Sequence, residues 1–438
     1  MQLTYTYDGY KRLTQVSSGG TAIRTYYYDT NPLDNSGFSQ NTAGRLTAVQ
    51  YNPPAGCDPY NVGTVQLVEM YSYVAAGQTG GGLPSKKRLQ ANEGYCWQDG
   101  GHIWHSATAT ANLDATFGYN SLGKLSSITY PSTGAGAGPS YTYFFDSMER
   151  LSGMTDANSV AWVSNASYGP ANELLSMQFP QAASETRTYN NLLQLTGIIY
   201  NGGSPTYQNT LNISYTYPTG TNNGKITTQK DLISGEEVAY SYDSLNRMIS
   251  AATTAAYDQA NPLTKWGLNF GYDSFGNLSS KTISKGTLPD LPTLNVGIDQ
   301  TTNRVQGVWG VSYDAAGNQT QAPNGPAAYW TLSYDAENRL VKVAPGTPPA
   351  THYAYDARNK RIYSWGETYE ANGYPTQYQL YFYAPNGQRL GGYQITTGFS
   401  GTAPYLTVAA VNTQPYFGGR LLGQQDRLSS IGKYYPQR

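Results

Sequence analysis

Along most of this chain, apolar and polar positions alternate in short runs, with turn-forming residues between them. In "YSYD" (Tyr240–Asp243) the alternation places Tyr240 and Tyr242 on one face. A period of two residues is the signature of a strand, because successive side chains point to opposite faces of the pleat. No window keeps the 3.6-residue period of an amphipathic helix over several turns. The nearest, "NNLLQLTGII" (Asn190–Ile199), falls in register with the strand-like runs around it. The predicted class is all-β.

The punctuation between runs is regular. Tyr or Phe, then Asp or a substitute, then two free residues and Gly or Asn recur along the chain. Tyr313, Tyr334 and Tyr355 are spaced by 21 residues, as are Tyr168 and Tyr189. A period near 21 fits two strands of roughly eight residues and two short turns. The motif is turn chemistry. Asp at the first position of a type I turn accepts hydrogen bonds from the backbone N–H groups just ahead. The residue three later often needs positive φ, which Gly and Asn tolerate. The pairs Asp243/Asn246, Asp273/Gly276, Asp314/Gly317, Asp335/Asn338 and Asp356/Asn359 all obey this rule. Two units depart, with Lys11 after Asp8 and Glu149 after Asp146, and their turns are expected to be strained or of another type. A carboxylate repeated this often reads as a turn cap, since catalysis needs no such multiplicity. The Tyr side chains are expected to form cross-strand ladders. Arg or Lys after each turn, as at Arg150, Arg247 and Arg339, is placed to cover the rings.

Composition narrows the partners. Charged residues are only 13% of 438, against about 25% in ordinary soluble domains, and the net charge is -1. That balance excludes a nucleic-acid partner, which requires clustered basic charge. There is no apolar run of membrane-spanning length, and no signal peptide is visible at the N-terminus. Tyr outnumbers Phe 41 to 10, and Gly reaches 48. The excess of hydroxyl-bearing rings suggests a partly wet face rather than a dry two-layer core.

The units "YNSLGKL" (Tyr119–Leu125), "YDSLNRM" (Tyr242–Met248), "YDSFGNL" (Tyr272–Leu278) and "YDAENRL" (Tyr334–Leu340) resemble the YD repeats of the RHS family. That family includes bacterial polymorphic toxins, toxin-complex cocoons, wall-associated proteins and teneurins. The resemblance implies stacked antiparallel β-hairpins that wind as a spiralling sheet into a hollow shell, here one repeat domain over residues 1–438. The last stretch, Gly418–Arg438, is similar to the one that precedes the family's core end. The family's self-cleavage signature is absent, so no residue inherits that role.

Residues 51–115 interrupt the pattern and read as a non-repeat insertion loop. Both cysteines, Cys57 and Cys96, fall here, 39 residues apart. A disulfide between them would stabilise by roughly 3–4 kcal/mol in the chain-entropy account. Free thiols and a metal site of Cys57, Cys96, His102 and His105 are the alternatives, though no C-x-x-C supports a metal. Trp97 and Trp104 either close a hairpin or form a glycan-stacking platform. No nucleophile, metalloprotease or phosphate-loop motif occurs, and no cofactor is implied. His352 reads as an ordinary strand residue. The expected function is that of a non-catalytic, secreted or surface-exposed shell, wall or fibre element that encloses a polypeptide. A glycan-binding adhesin and the shell fragment of a processed toxin are the alternatives. The terminal strands, beginning at Leu3 and ending near Lys433, offer unblunted edges for self-association.

Overall fold

The computed structural model describes residues 2–51, 65–98, 104–134, 136–202, 210–256, 258, 260–261, 265–286, 293–325, 328–346, 349–366, 377–401, 403–426 and 433–434. These residues form 36 strands and one three-residue 3-10 turn, Pro180–Ala182. The strands pair antiparallel, with 21 strands joined in one sheet and 11 in another. The segment with the strongest helical pattern is a turn followed by strand Leu195–Asn201. Its apolar residues serve a half-buried strand in which Ile198 alone is fully covered.

A local rule generates this architecture. Strand Glu237–Tyr242 pairs with Met248–Thr253 through Ser241 with Ser250, and then the register slips so that Tyr242 faces Met248. The same slip recurs at Tyr7, Tyr28, Tyr189, Tyr272, Tyr334 and Tyr355. A bulge beside each turn bends the strand and increases its twist. A periodic bulge therefore imposes a periodic bend.

The sequence reads as one repeat domain, while the contacts gather the chain into two compact units. One comprises Met1–Phe144, Thr155–Val160 and Ser312–Tyr435, and the other Phe145–Met154, Ala161–Val311 and Pro436–Arg438. The first has the heavier core, including the cluster of Phe38, Ala48, Val68 and Met70. The second is thinner, and its strands bury few apolar side chains each, among them Met177, Ile198, Ile213, Val238 and Leu268.

The described part of 51–115 is not a loop. Strands Val65–Tyr73, Pro84–Gln98 and Trp104–Tyr119 continue the antiparallel order and are longer than most others. The pairing of Pro84–Gln98 with Trp104–Tyr119 is unbroken from Lys86–Thr116 to Gln98–Trp104. The YD motif is missing here, while the antiparallel pairing itself persists.

Candidate functional site: the repeat turn and the charged face of the first unit

Each turn is built around its carboxylate. Asp243 Oδ1 accepts hydrogen bonds from the N–H groups of Leu245 (3.0 Å) and Arg247 (2.8 Å). Its Oδ2 accepts from Arg247 Nε at 2.7 Å. Backbone bonds close the loop, from Asn246 N–H to Asp243 O and from Asp243 N–H to Arg247 O, both 2.9 Å. Asp335 repeats the arrangement with Glu337, Asn338 and Arg339. At Asp273 and Asp314 an Asn side chain, Asn277 or Asn318, replaces the arginine. The fourth residues all have positive φ: Asn246 64°, Gly276 87°, Gly317 93°, Asn338 59° and Asn359 60°. Backbone and side-chain donors hold the carboxyls of Asp243, Asp273 and Asp314 below the ordinary range. These carboxylates are saturated with donors, which leaves them poor general bases.

The units that depart in sequence do not adopt another turn. Lys11 has φ 62° and Glu149 has φ 59°, and Asp8 and Asp146 make the same capping bonds as Asp243. The caps and the arginine bridges Asp8–Arg12 and Asp146–Arg150 hold a left-handed residue that costs roughly 1–2 kcal/mol outside Gly.

The tyrosines link one hairpin to the one before. The Tyr28 hydroxyl donates to Leu13 O (3.1 Å), Tyr189 to Leu174 O (3.1 Å), Tyr242 to Ile226 O (3.0 Å) and Tyr355 to Leu340 O (2.7 Å). In most of these bonds the acceptor residue is the one that faces the preceding repeat's Tyr across the slip, as Leu174 faces Tyr168. The hydroxyls thus point into the sheet and satisfy backbone carbonyls, rather than keeping a face wet. Burial raises the pKa of these phenols, as at Tyr28, Tyr242 and Tyr355, and pushes Tyr119 up to about 12. Arginines complete the link. Arg150 lies 4.9 Å from the Tyr168 ring, Arg247 4.8 Å from Tyr272 and Arg339 5.4 Å from Tyr355. Each one ties its own Asp to the ring of the next repeat.

This geometry reveals two members that the motif search misses. Tyr73 donates to Leu46 O at 2.6 Å, and Tyr217 donates to Leu195 O at 3.0 Å. Neither is followed by Asp. The available signal is the "YSY" of Tyr71–Tyr73, identical to Tyr240–Tyr242.

The first unit carries a second, buried polar arrangement. On strand Val65–Tyr73 the alternation puts Glu69 and Tyr71 on one face, and Lys87 comes from the neighbouring strand. Lys87 Nζ lies 2.6 Å from Glu69 Oε1, with both side chains 5% exposed. Glu69 Oε2 also accepts from the hydroxyls of Tyr51 (2.7 Å) and Tyr71 (3.1 Å). Burial alone would raise the pKa of Glu69, but Lys87 and the two hydroxyls outweigh it and the net shift is downward. The Tyr51 hydroxyl in turn accepts from Ala357 N–H at 3.2 Å, which ties this face to the Asp356 turn. Asp356 is buried and has Lys360 where the Asp243 and Asp335 turns have Arg; burial first, then Glu69, raises its pKa. Arg24 pairs with Glu337, and Glu93 accepts from the hydroxyls of Tyr378 and Thr397. Strands near the N-terminus are therefore bound to turns and strands some three hundred residues later. With Lys87 and Glu69 committed to each other, the cluster supplies neither a free amine nor a free base.

Cys57 and His102 lie outside the described residues. Cys96, Trp97 and Trp104 are placed by backbone only, and the disulfide and the glycan platform therefore stay expectations. Trp97 faces His105 and Trp104 faces Gln98 near the end of the long hairpin. His352 faces Trp365 on the adjacent strand and stacks on it with ring centroids 4.2 Å apart. Among the described residues no group of three His, Cys, Asp or Glu is arranged to hold a metal.

No family model and no curated protein matches the sequence. Solved structures do match the fold. A crystal structure of TcdB2-TccC3-Cdc42 aligns with TM-score 0.63 and 16% identity, over 97% of this chain and 22% of that one. The Tc holotoxin pore of Photorhabdus luminescens aligns with TM-score 0.56 and 14% identity, over 97% and 23%. TcdB2-TccC3 without its hypervariable C-terminal region gives TM-score 0.56 and 15% identity, again over 97% and 23%. The chain thus spans less than a quarter of the length of these three chains. With the repeated turn and the tyrosine links, this alignment shows that the chain has the all-β, YD-repeat shell fold of the RHS type.

Proposed function

We propose that this chain is a stretch of wall in a YD-repeat shell, a non-catalytic element of a secreted, toxin-related assembly that surrounds a polypeptide. The observation that carries the reading is the Tyr-to-carbonyl bond between successive hairpins. It fastens most repeats to the one before, so the sheet extends without a thick core. A wall needs that property, and the thin second unit displays it. The fold likeness supports the same reading. The matched structures are named as TcdB2-TccC3 assemblies, one with Cdc42 and one lacking a hypervariable C-terminal region. No helix among the described residues is long and apolar enough to cross a membrane.

Electron microscopy of the purified chain tests the proposal. The expected images show curved walls one sheet thick bordering an internal space. Solid globular particles would overturn it. Secretion has its own check, because a Cys57–Cys96 bridge in non-reduced peptide maps is expected only of an oxidising compartment.

A further inference from the structure

Within the first unit, residues of the early strands and of the Asp335 and Asp356 repeats enclose a cavity of about 280 Å³. Arg24, Tyr51 and Leu67 face one another across three neighbouring strands, so their side chains share one side of the sheet. Val65, two residues before Leu67, lies on that side as well, and Ile23 and Val341 add further apolar lining. The other charged groups of the lining are Asp335 and Arg339.

Most of the polar groups here are committed. The Tyr51 hydroxyl donates to Glu69. Glu337 pairs with Arg24 through one oxygen and with Arg339 through the other (2.8 Å), and Arg339 pairs in turn with Asp335 (2.7 Å). Arg24, Glu337, Arg339 and Asp335 thus form a chain of alternating charge that sums to zero. One donor is left over. Arg12, Arg150, Arg247 and Arg339 each place Nε on an aspartate. Arg24 is 6% exposed, yet its Nε–H has no acceptor among the described residues. A covered donor of this kind calls for an acceptor that the chain does not supply.

We propose that the cavity binds a small neutral molecule with an apolar body and one carbonyl or hydroxyl oxygen, which accepts from Arg24 Nε–H. An apolar lining with one unmet polar group is the usual composition of a small-molecule site, the polar group fixing orientation. The volume sets the size. A cavity of about 150 Å³ holds benzene, so this one has room for about ten heavy atoms. The balanced charges set the neutrality. An ammonium would face the Arg24 guanidinium, and a carboxylate would compete with Glu337 for it and add a buried charge to a network that already sums to zero. A neutral oxygen meets the donor without either cost. Leu67 and Val65, on the same side as Arg24, then cover the apolar body.

Isothermal titration calorimetry of the full chain with octanamide, octanoate and octylammonium at pH 7 tests this. Octanamide is expected to bind at one site, and the two ions about tenfold or more weaker. Arg24→Lys keeps a cation for Glu337 but removes the Nε–H, and is expected to weaken octanamide by about tenfold. Ala336 lines the cavity from a free position of its turn, so Ala336→Phe fills the space and is expected to abolish binding. Its counterpart Ser244→Phe, in the same position of a second-unit turn, is expected to leave binding intact. Circular dichroism checks that the variants fold, and the comparison of the three ligands on the parent stands without them. Absence of saturable octanamide binding overturns the proposal. So does octanamide binding that survives Ala336→Phe or is indifferent to Arg24→Lys, and so does either ion binding as tightly as the amide.

Discussion

The Tyr272 hydroxyl donates a 2.8 Å hydrogen bond to the carbonyl of Met248, the residue that faces Tyr242 in the preceding repeat. Equivalent bonds recur along the chain, so a side chain performs the task of joining hairpins that a second sheet layer performs in a sandwich. This accounts for the preference for Tyr over Phe, because Phe would fill the same space and leave the carbonyl without its donor.

The substitution Tyr272→Phe is accordingly expected to destabilise by about 1–3 kcal/mol, the cost of leaving a covered acceptor unmet. Tyr7→Phe serves as its control, since the exposed Tyr7 hydroxyl makes no hydrogen bond among the described residues. Urea denaturation of the two variants measures the difference. Equal midpoints would show that the hydroxyl link contributes nothing.

At the turns, Asn338→Val is expected to cost more than Asp335→Asn. A β-branched residue resists the 59° φ at that position, whereas Asn still accepts the backbone bonds. Conversely, Lys11→Gly relieves a left-handed lysine and is expected to raise stability by about 1 kcal/mol. Thermal melts that rank the first pair the other way would contradict the turn geometry.

Two turn aspartates are expected to respond oppositely to pH. Backbone and side-chain bonds from Arg247 lower the folded pKa of Asp243. Its contribution is therefore present above the unfolded carboxyl pKa and is lost as pH falls through the folded value. Burial and Glu69 raise the folded pKa of Asp356. Its contribution is complete below the unfolded pKa and disappears as pH rises through the raised value. At pH 7, Asp243→Asn is thus expected to destabilise and Asp356→Asn to be neutral or stabilising. Near pH 3 the penalty at Asp243 is expected to be smaller than at pH 7, and it is expected to vanish only below the lowered folded value. Urea titrations at the two pH values provide the test.

The buried pair gives the largest expected effect. Glu69→Gln strands Lys87 in a covered site and is expected to cost about 3–5 kcal/mol, while adding Lys87→Met should recover most of it. A denaturation series over the single and double variants measures the coupling. Additive losses would mean that the two side chains act independently.

The sequence by itself determined the local geometry. Alternation specified the strands, and Asp with Gly or Asn three residues later specified the turn, because both depend on neighbours within five residues. Even the exceptions at Lys11 and Glu149 follow the rule, since the capping bonds and the arginine outweigh an unfavourable φ. Tertiary structure alone decided which residues meet across long stretches of chain. Tyr73 and Tyr217 lack the Asp that marks a repeat, yet the sheet brings them to the carbonyls of Leu46 and Leu195. Glu69, Lys87 and Asp356 are unremarkable as letters, and they become a buried charged face only when strands near the N-terminus meet turns some three hundred residues away. The physical reason is range. Turn preference is a property of a few adjacent backbone angles, whereas burial and pairing depend on which distant surfaces close over a side chain, and that is set by the accumulated twist of many strands.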